Sequence, residues 1–137
     1  MLIPGTQIKA WSSSLGIFKH HGIAGSRLLP NGMQTVVHST SNGVVEEPIN
    51  CFSANPIEIV AQPATLAEQR EILQRAYGAI GRPWAITDNC EHFANWAFTG
   101  YSSSDQLQRV VGGLAFCLLC TLIAEEKPTR ARRRRRR

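Results

Sequence analysis

Cysteine is scarce in this sequence, which has four cysteines among 137 residues. That number is too small for a dense disulfide framework and fits a protein from a reducing compartment. Histidines at the H-x-x-x-H spacing of helical metal sites are also absent. Cys90 and His92 stand two apart on a predicted helix and would not converge on one ion, so zinc bound by these residues and strand histidines is the weaker alternative. We expect neither a metal nor a cofactor.

The chain also lacks a long apolar segment near its start, so we expect no secretory signal peptide. An apolar run over residues 110–124 would be roughly 22 Å long as a helix, whereas a bilayer core is about 30 Å thick. A spanning helix would also place the arginines after it against the positive-inside tendency. We therefore expect a monotopic or re-entrant helix on the cytosolic face of a membrane, with a buried core helix as the alternative.

An excess of positive charge is missing from the chain before residue 130. The net charge is +5, but residues 130–137 hold seven of the fifteen basic side chains, which leaves eight against ten acidic ones elsewhere. The folded part is thus mildly acidic, and the basic character belongs to a tail. Such a tail would bind anionic headgroups with about 1 kcal/mol per arginine. Binding of another polyanion, such as a nucleic acid, stays open.

The residue pattern predicts an α+β fold, in which a small antiparallel sheet packs against helices. Alternating and β-branched stretches predict strands over residues 7–11, 17–24, 34–39, 44–45 and 57–60. A long hairpin connection is expected over residues 25–32. Thr65 and Glu68 have the spacing of a capping box, and helical periodicity follows them until Gly81.

The stretch TDNCEHFANWAFTG, residues 87–100, places Cys90 where a helix should begin. Asp88 and Asn89 are both strong N-cap types, and Gly100 is a typical helix stop. In a first helical turn, backbone N–H groups and the helix dipole stabilise a thiolate, so we expect the thiol pKa to be lowered. A buried, inert cysteine is the alternative.

A thiol nucleophile needs a base, and that base needs a polar group to orient it. His20 and His38 lie on neighbouring predicted strands and could fill these roles. Since successive strand residues face opposite sides, only one of His20 and His21 can point at the thiol. His92 points away from Cys90 on the same helix, and we interpret it as structural.

Three separated motifs together resemble a known family. They are HHGI at residues 20–23, VVH at residues 36–38 and NCEHF at residues 89–93. This pattern looks like the lecithin:retinol acyltransferase domain family, which includes the HRAS-like suppressor phospholipase/acyltransferases. That family belongs to the NlpC-type thiol enzymes, whose fold is a circularly permuted papain-like one. The resemblance covers roughly residues 3–109.

The resemblance implies catalytic roles for three residues. Cys90 would be the nucleophile, His20 the general base and His38 the group that orients the base. The implied activity is that of a membrane-associated phospholipase/acyltransferase, which cleaves a glycerophospholipid ester through a Cys acyl-thioester and passes the acyl group to water, an amine or an alcohol.

The resemblance also implies a division of the chain. Residues 1–109 would form the catalytic domain and residues 110–124 a hydrophobic membrane-associating segment, expected to be a C-terminal helix. Residues 125–137 would be a basic tail.

Two departures from the family bear on substrate preference. Ala24 stands where the family usually has an aromatic residue, and the segment over residues 24–37 is longer and more apolar than the family's turn. The picornavirus 2A H-box/NC proteins share the same histidine and Asn-Cys motifs. For them the motifs imply an interaction role without clear lipid turnover, so a non-enzymatic interaction protein that keeps the fold is the alternative function.

Overall fold

Five antiparallel strands and three helices make up the part of the chain that a computed structural model describes, residues 1–11, 19–83 and 89–101. The strands are β1 (Gln7–Trp11), β2 (Lys19–Leu28), β3 (Gln34–Thr40), β4 (Gly43–Pro48) and β5 (Glu58–Ala61). The helices are α1 (Ile49–Phe52), α2 (Leu66–Gly78) and α3 (Cys90–Thr99). The strands form one sheet in the order β4-β3-β2-β1-β5. The predicted α+β class is confirmed.

Strand β2 is longer than the sequence predicts. We expected a strand over residues 17–24 and a connection over residues 25–32, but the pairing of β2 with β3 continues as far as Leu28. Gly25 therefore lies inside the strand, next to an irregularity in its register. A Cβ atom at Gly25 would lie 2.5 Å from Oγ1 of Thr35. Gly25 therefore allows β2 and β3 to approach each other closely and is not part of a turn.

Helix α2 begins where the capping box predicts. The side chain of Thr65 accepts a hydrogen bond from the N–H of Glu68 at 3.1 Å. The Glu68 carboxylate accepts in return from the N–H of Ala64 at 2.7 Å. The first contact satisfies a donor that the first helical turn leaves unpaired, and the second ties the residue before the N-cap to that turn. The helix ends at Gly78, somewhat before Gly81, where we expected it to stop.

Helix α3 has both predicted ends. Oδ1 of Asn89 accepts hydrogen bonds from the N–H groups of Glu91 and His92, each at 3.0 Å. At the other end, Gly100 adopts the left-handed conformation with φ of 83°, which a residue without Cβ reaches at no steric cost. The position of Cys90 in the first turn of a helix is therefore confirmed.

An apolar core covers each face of the sheet. Helices α2 and α3 pack on one face, whose buried residues are Ile23, Val37, Val44, Ile72, Ala76, Ala79, Phe93, Ala94 and Ala97. Helix α1 packs on the other face, whose buried residues are Ile8, Ala10, Val36 and Phe52. We call these the α3 face and the α1 face. Because alternate residues of a strand point to opposite faces, each residue of β2 contributes to one face only.

The predicted hydrophobic segment at residues 110–124 and the basic tail at residues 125–137 lie outside the described residues. The residues that the structure describes, which end at Tyr101, belong to one compact unit. Within that unit, the described helices are too short or too polar to cross a membrane.

Replacing Ile72 by alanine is expected to lower the free energy of unfolding by about 2–5 kcal/mol, because Ile72 is fully buried between α2 and the sheet and its loss leaves a cavity. Leu66, on the same helix, is 70% exposed, so Leu66→Ala should change that free energy by less than about 0.5 kcal/mol. Chemical denaturation of both variants measures the difference. Equal losses would contradict the assignment of the core.

Candidate functional site

His20 and His38 lie side by side on the α1 face of the sheet. His38 is paired with Gly22 across β2 and β3, and residues directly opposite each other share a face. His20 stands two residues before Gly22 and points to the same side. Nε2 of His20 and Nδ1 of His38 are 2.7 Å apart, within hydrogen-bond distance.

Gly22 and Phe52 shape the space around these rings. A Cβ atom at Gly22 would lie only 2.8 Å from Cγ1 of Val36 and 3.0 Å from the Phe52 ring, so the missing side chain lets both pack onto β2. The Phe52 ring stacks on His20 with centroids 4.9 Å apart and an interplanar angle of 27°. It meets His38 edge-on at 5.4 Å. This apolar contact removes both imidazoles from much of the solvent.

The second ring nitrogen of His38 contacts a residue that the sequence interpretation missed. Nε2 of His38 lies 3.1 Å from Oε2 of Glu47, on the neighbouring strand β4. The register explains this contact, because Glu47 is paired with Val36 and therefore shares the face of His38. A two-residue connection between Thr40 and Gly43 sets that register and was the signal available in the sequence.

Burial keeps both histidines in the neutral form. Burial, together with charge repulsion from the nearby His38 and His21, lowers the pKa of His20 from 6.5 to about 4. Burial also lowers the pKa of His38, although the hydrogen bond and the charge of Glu47 oppose that shift. At neutral pH each ring therefore has one protonated nitrogen and one lone pair.

Cys90 lies on the buried side of α3, in line with Phe93, Ala94 and Ala97. Burial raises the pKa of its thiol above the ordinary 9.0, and the carboxylate of Glu91 raises it too. Three backbone N–H groups, those of His21, Glu91 and Cys90 itself, act in the opposite direction. The expectation that the helix start lowers this pKa is wrong, because desolvation of the thiolate outweighs the N–H donors.

Cys90 lies near β2, where the main chain of His21 acts to lower the pKa of the thiol. Cys90 is thus brought to the residue directly after His20. Within the described residues, however, the His20 ring makes its side-chain hydrogen bond to His38 and none to the thiol. The two histidine rings are joined to each other on the α1 face, whereas Cys90 belongs to the helix that packs on the α3 face.

The His21 side chain points to the α3 face. His21 is paired with Lys9 and shares its side of β2 with Ile23, which packs against α3. It is 7% exposed, and its Nδ1 has no hydrogen-bond partner among the described residues. Burial lowers its pKa, while the carboxylate of Glu91 raises it. His20 and His21 therefore occupy different environments on opposite faces, as strand geometry requires.

His92 belongs to the helix cap. Its Nδ1 lies 3.1 Å from Oδ1 of Asn89, which also accepts from its N–H. The structural role predicted for His92 is thus confirmed, with the cap side chain as its partner. Residues 1–11, 19–83 and 89–101 contain no group of three or more His, Cys, Asp or Glu side chains that could hold a metal ion.

Neither a protein-family model nor a curated protein matches this chain. The family resemblance therefore depends on the three motifs and on the arrangement of the residues within them.

Lowering the pH from 6.5 to 4 is expected to destabilise the fold through His20. In this window the unfolded chain binds a proton at His20 that the folded protein does not, so stability present above pH 6.5 is lost as the pH falls. The shift in pKa corresponds to roughly 3 kcal/mol. Urea unfolding across this window measures the loss, and His20→Asn should flatten the curve. Parallel curves for wild type and variant would contradict the shift.

Proposed function

We propose that this protein is a cysteine-dependent phospholipase/acyltransferase of the lecithin:retinol acyltransferase type, with a circularly permuted papain-like fold. It acts on glycerophospholipids at the cytosolic face of a membrane. Cys90 is the nucleophile, His20 the general base and His38 the residue that orients the base. The observations that support the proposal are the 2.7 Å contact between the His20 and His38 rings and the position of Cys90 in the first turn of α3.

The arrangement supports thiol chemistry in two ways. The His20–His38 hydrogen bond gives the base a fixed orientation, which is what a general base needs in acyl transfer. The backbone N–H groups at the start of α3 act on the sulfur of Cys90, and such donors also stabilise an oxyanion close to the nucleophile.

The proposed reaction has two stages. His20 accepts the proton of the Cys90 thiol, and the sulfur attacks the ester carbonyl to form a carbon–sulfur bond and an oxyanion. As the oxyanion collapses, the ester carbon–oxygen bond breaks, and the leaving alkoxide takes the proton from His20. A water, amine or alcohol then gives a proton to His20 and attacks the thioester. The carbon–sulfur bond breaks, and the thiolate recovers its proton.

The first proton transfer is unfavourable in the free protein. Burial raises the pKa of the thiol and lowers that of His20 to about 4, so both shifts oppose the transfer. The His20 ring lies on the α1 face and makes its side-chain hydrogen bond to His38. The proposed transfer therefore requires this ring to reach the sulfur when substrate binds, and a thiolate does not accumulate beforehand.

The same observations favour a second candidate function. A neutral buried thiol without a hydrogen bond to the His20 ring is what a non-enzymatic interaction protein with this fold would contain. In that case the histidine pair stabilises the sheet and carries no proton to or from a substrate. Wild-type protein that forms no thioester with any phospholipid donor would favour this function.

Replacing Cys90 by serine is expected to abolish thioester formation and the release of fatty acid from phosphatidylcholine vesicles, because a hydroxyl is a much weaker nucleophile beside a base with a pKa of about 4. Intact-mass measurement after incubation with phospholipid detects the acyl group on the wild-type chain. Cys51→Ser is the matched control, since Cys51 is exposed on α1 and has no part in the proposed reaction. Wild-type fatty-acid release by Cys90→Ser would overturn the proposal.

His20→Asn should lower the rate of thioester formation by about a hundredfold or more, because the general base is lost. His21→Asn should have a much smaller effect, since that side chain faces away from the His38 ring. Single-turnover acylation of Cys90, followed by mass, measures both rates. A larger loss in His21→Asn than in His20→Asn would assign the base to His21.

A further inference from the structure

We infer that Glu47 is a positioning residue that sets the tautomers of His38 and His20 and leaves Nδ1 of His20 as the basic atom of the site. The inference starts from the contact between Oε2 of Glu47 and Nε2 of His38, 3.1 Å apart. What the basic atom does in catalysis rests on the proposed function. The tautomers themselves follow from hydrogen bonding alone.

The first step concerns His38. An ionised carboxylate has lone pairs and no proton to donate, so the proton in its contact with His38 belongs to Nε2. His38 is 3% exposed and packs against the Phe52 ring, which disfavours a second proton on the same imidazole. Nδ1 of His38 is therefore a lone pair, and it can only accept a hydrogen bond.

The second step concerns His20, whose tautomer is fixed by that of His38. Nδ1 of His38 lies 2.7 Å from Nε2 of His20, and a contact this short between two nitrogens needs one proton between them. Since Nδ1 of His38 is an acceptor, Nε2 of His20 must be the donor. The neutral His20 ring then has its free lone pair on Nδ1, which makes no hydrogen bond in the described part of the chain.

Without Glu47, two arrangements of the protons on His38 and His20 satisfy the hydrogen bond between the two rings. His38 could carry its proton on Nδ1 and donate to Nε2 of His20, which would move the proton of His20 to Nδ1 and remove the base. The two neutral tautomers of an isolated imidazole differ little in free energy, so a single hydrogen bond to a charged acceptor decides between them. The side chain of Glu47 is 43% exposed, so the residue can be replaced without removing a side chain from the buried core.

The test is a measurement of histidine tautomers by long-range proton–nitrogen NMR on the ¹⁵N-labelled full chain at neutral pH. In the wild type we expect protonated Nε2 and bare Nδ1 on both His20 and His38. In Glu47→Leu we expect a second population, with protonated Nδ1 on both rings. A wild-type protein with Nδ1 protonated on His20, or unchanged tautomers in the variant, would overturn the inference.

The chain offers a matched control on the same strand. Glu46 is adjacent to Glu47 but points to the α3 face, where its carboxylate contacts Thr35 and Tyr77. Glu46→Gln should leave the tautomers of His20 and His38 unchanged, and a change there would overturn the specific role of Glu47. If Glu47→Leu fails to fold, Glu47→Gln replaces it, since an amide can also donate to Nε2 of His38 and should admit the second tautomer.

The tautomer measurement does not depend on turnover. Wild-type tautomers as expected in a protein that forms no thioester would overturn the proposed function and leave the role of Glu47 intact. Where thioester does form, Glu47→Leu should slow it roughly tenfold or more, as expected when a general base is held in the wrong tautomer. An unchanged rate despite altered tautomers would overturn the assignment of Nδ1 of His20 as the proton acceptor.

Discussion

The pairing of β2 with β3 is the constraint on which the site depends. The register that sets Gly22 opposite His38 puts the His20 and His38 rings on one face and within 2.7 Å of each other. A slip of one residue would turn His38 to the α3 face and separate the pair. Gly22 protects this register, because any larger residue would collide with Val36 and Phe52, which form the apolar core beneath the rings.

The titratable side chains of the site are also divided between the two faces of the sheet. His20, His38 and Glu47 form a hydrogen-bonded chain on the α1 face, whereas His21 points toward α3. Cys90 belongs to the buried side of α3 but reaches the main chain of β2. Strand β2 therefore separates the α3 face, toward which Cys90 points, from the α1 face, where the His20 ring lies.

Burial decides the charge state of three groups in this site. It is the largest influence on the pKa of His20, His38 and Cys90, and it favours the neutral form of each. The N–H donors around the sulfur act against burial without overcoming it. Both imidazoles and the thiol are consequently neutral at rest, and the position of each histidine proton is governed by hydrogen-bond partners, the Glu47 carboxylate among them.

Local signals in the sequence determined the start and end of α3, the cap of α2 and most strands, because caps, turns and alternation act over a few residues. Asn89 and Gly100 show this directly. The family motifs selected His20, His38 and Cys90 but could not measure the distances between them. Tertiary structure alone decided the contact of Glu47 with His38 and the raised pKa of Cys90. Both depend on strand register and burial, which arise only when distant segments pack together.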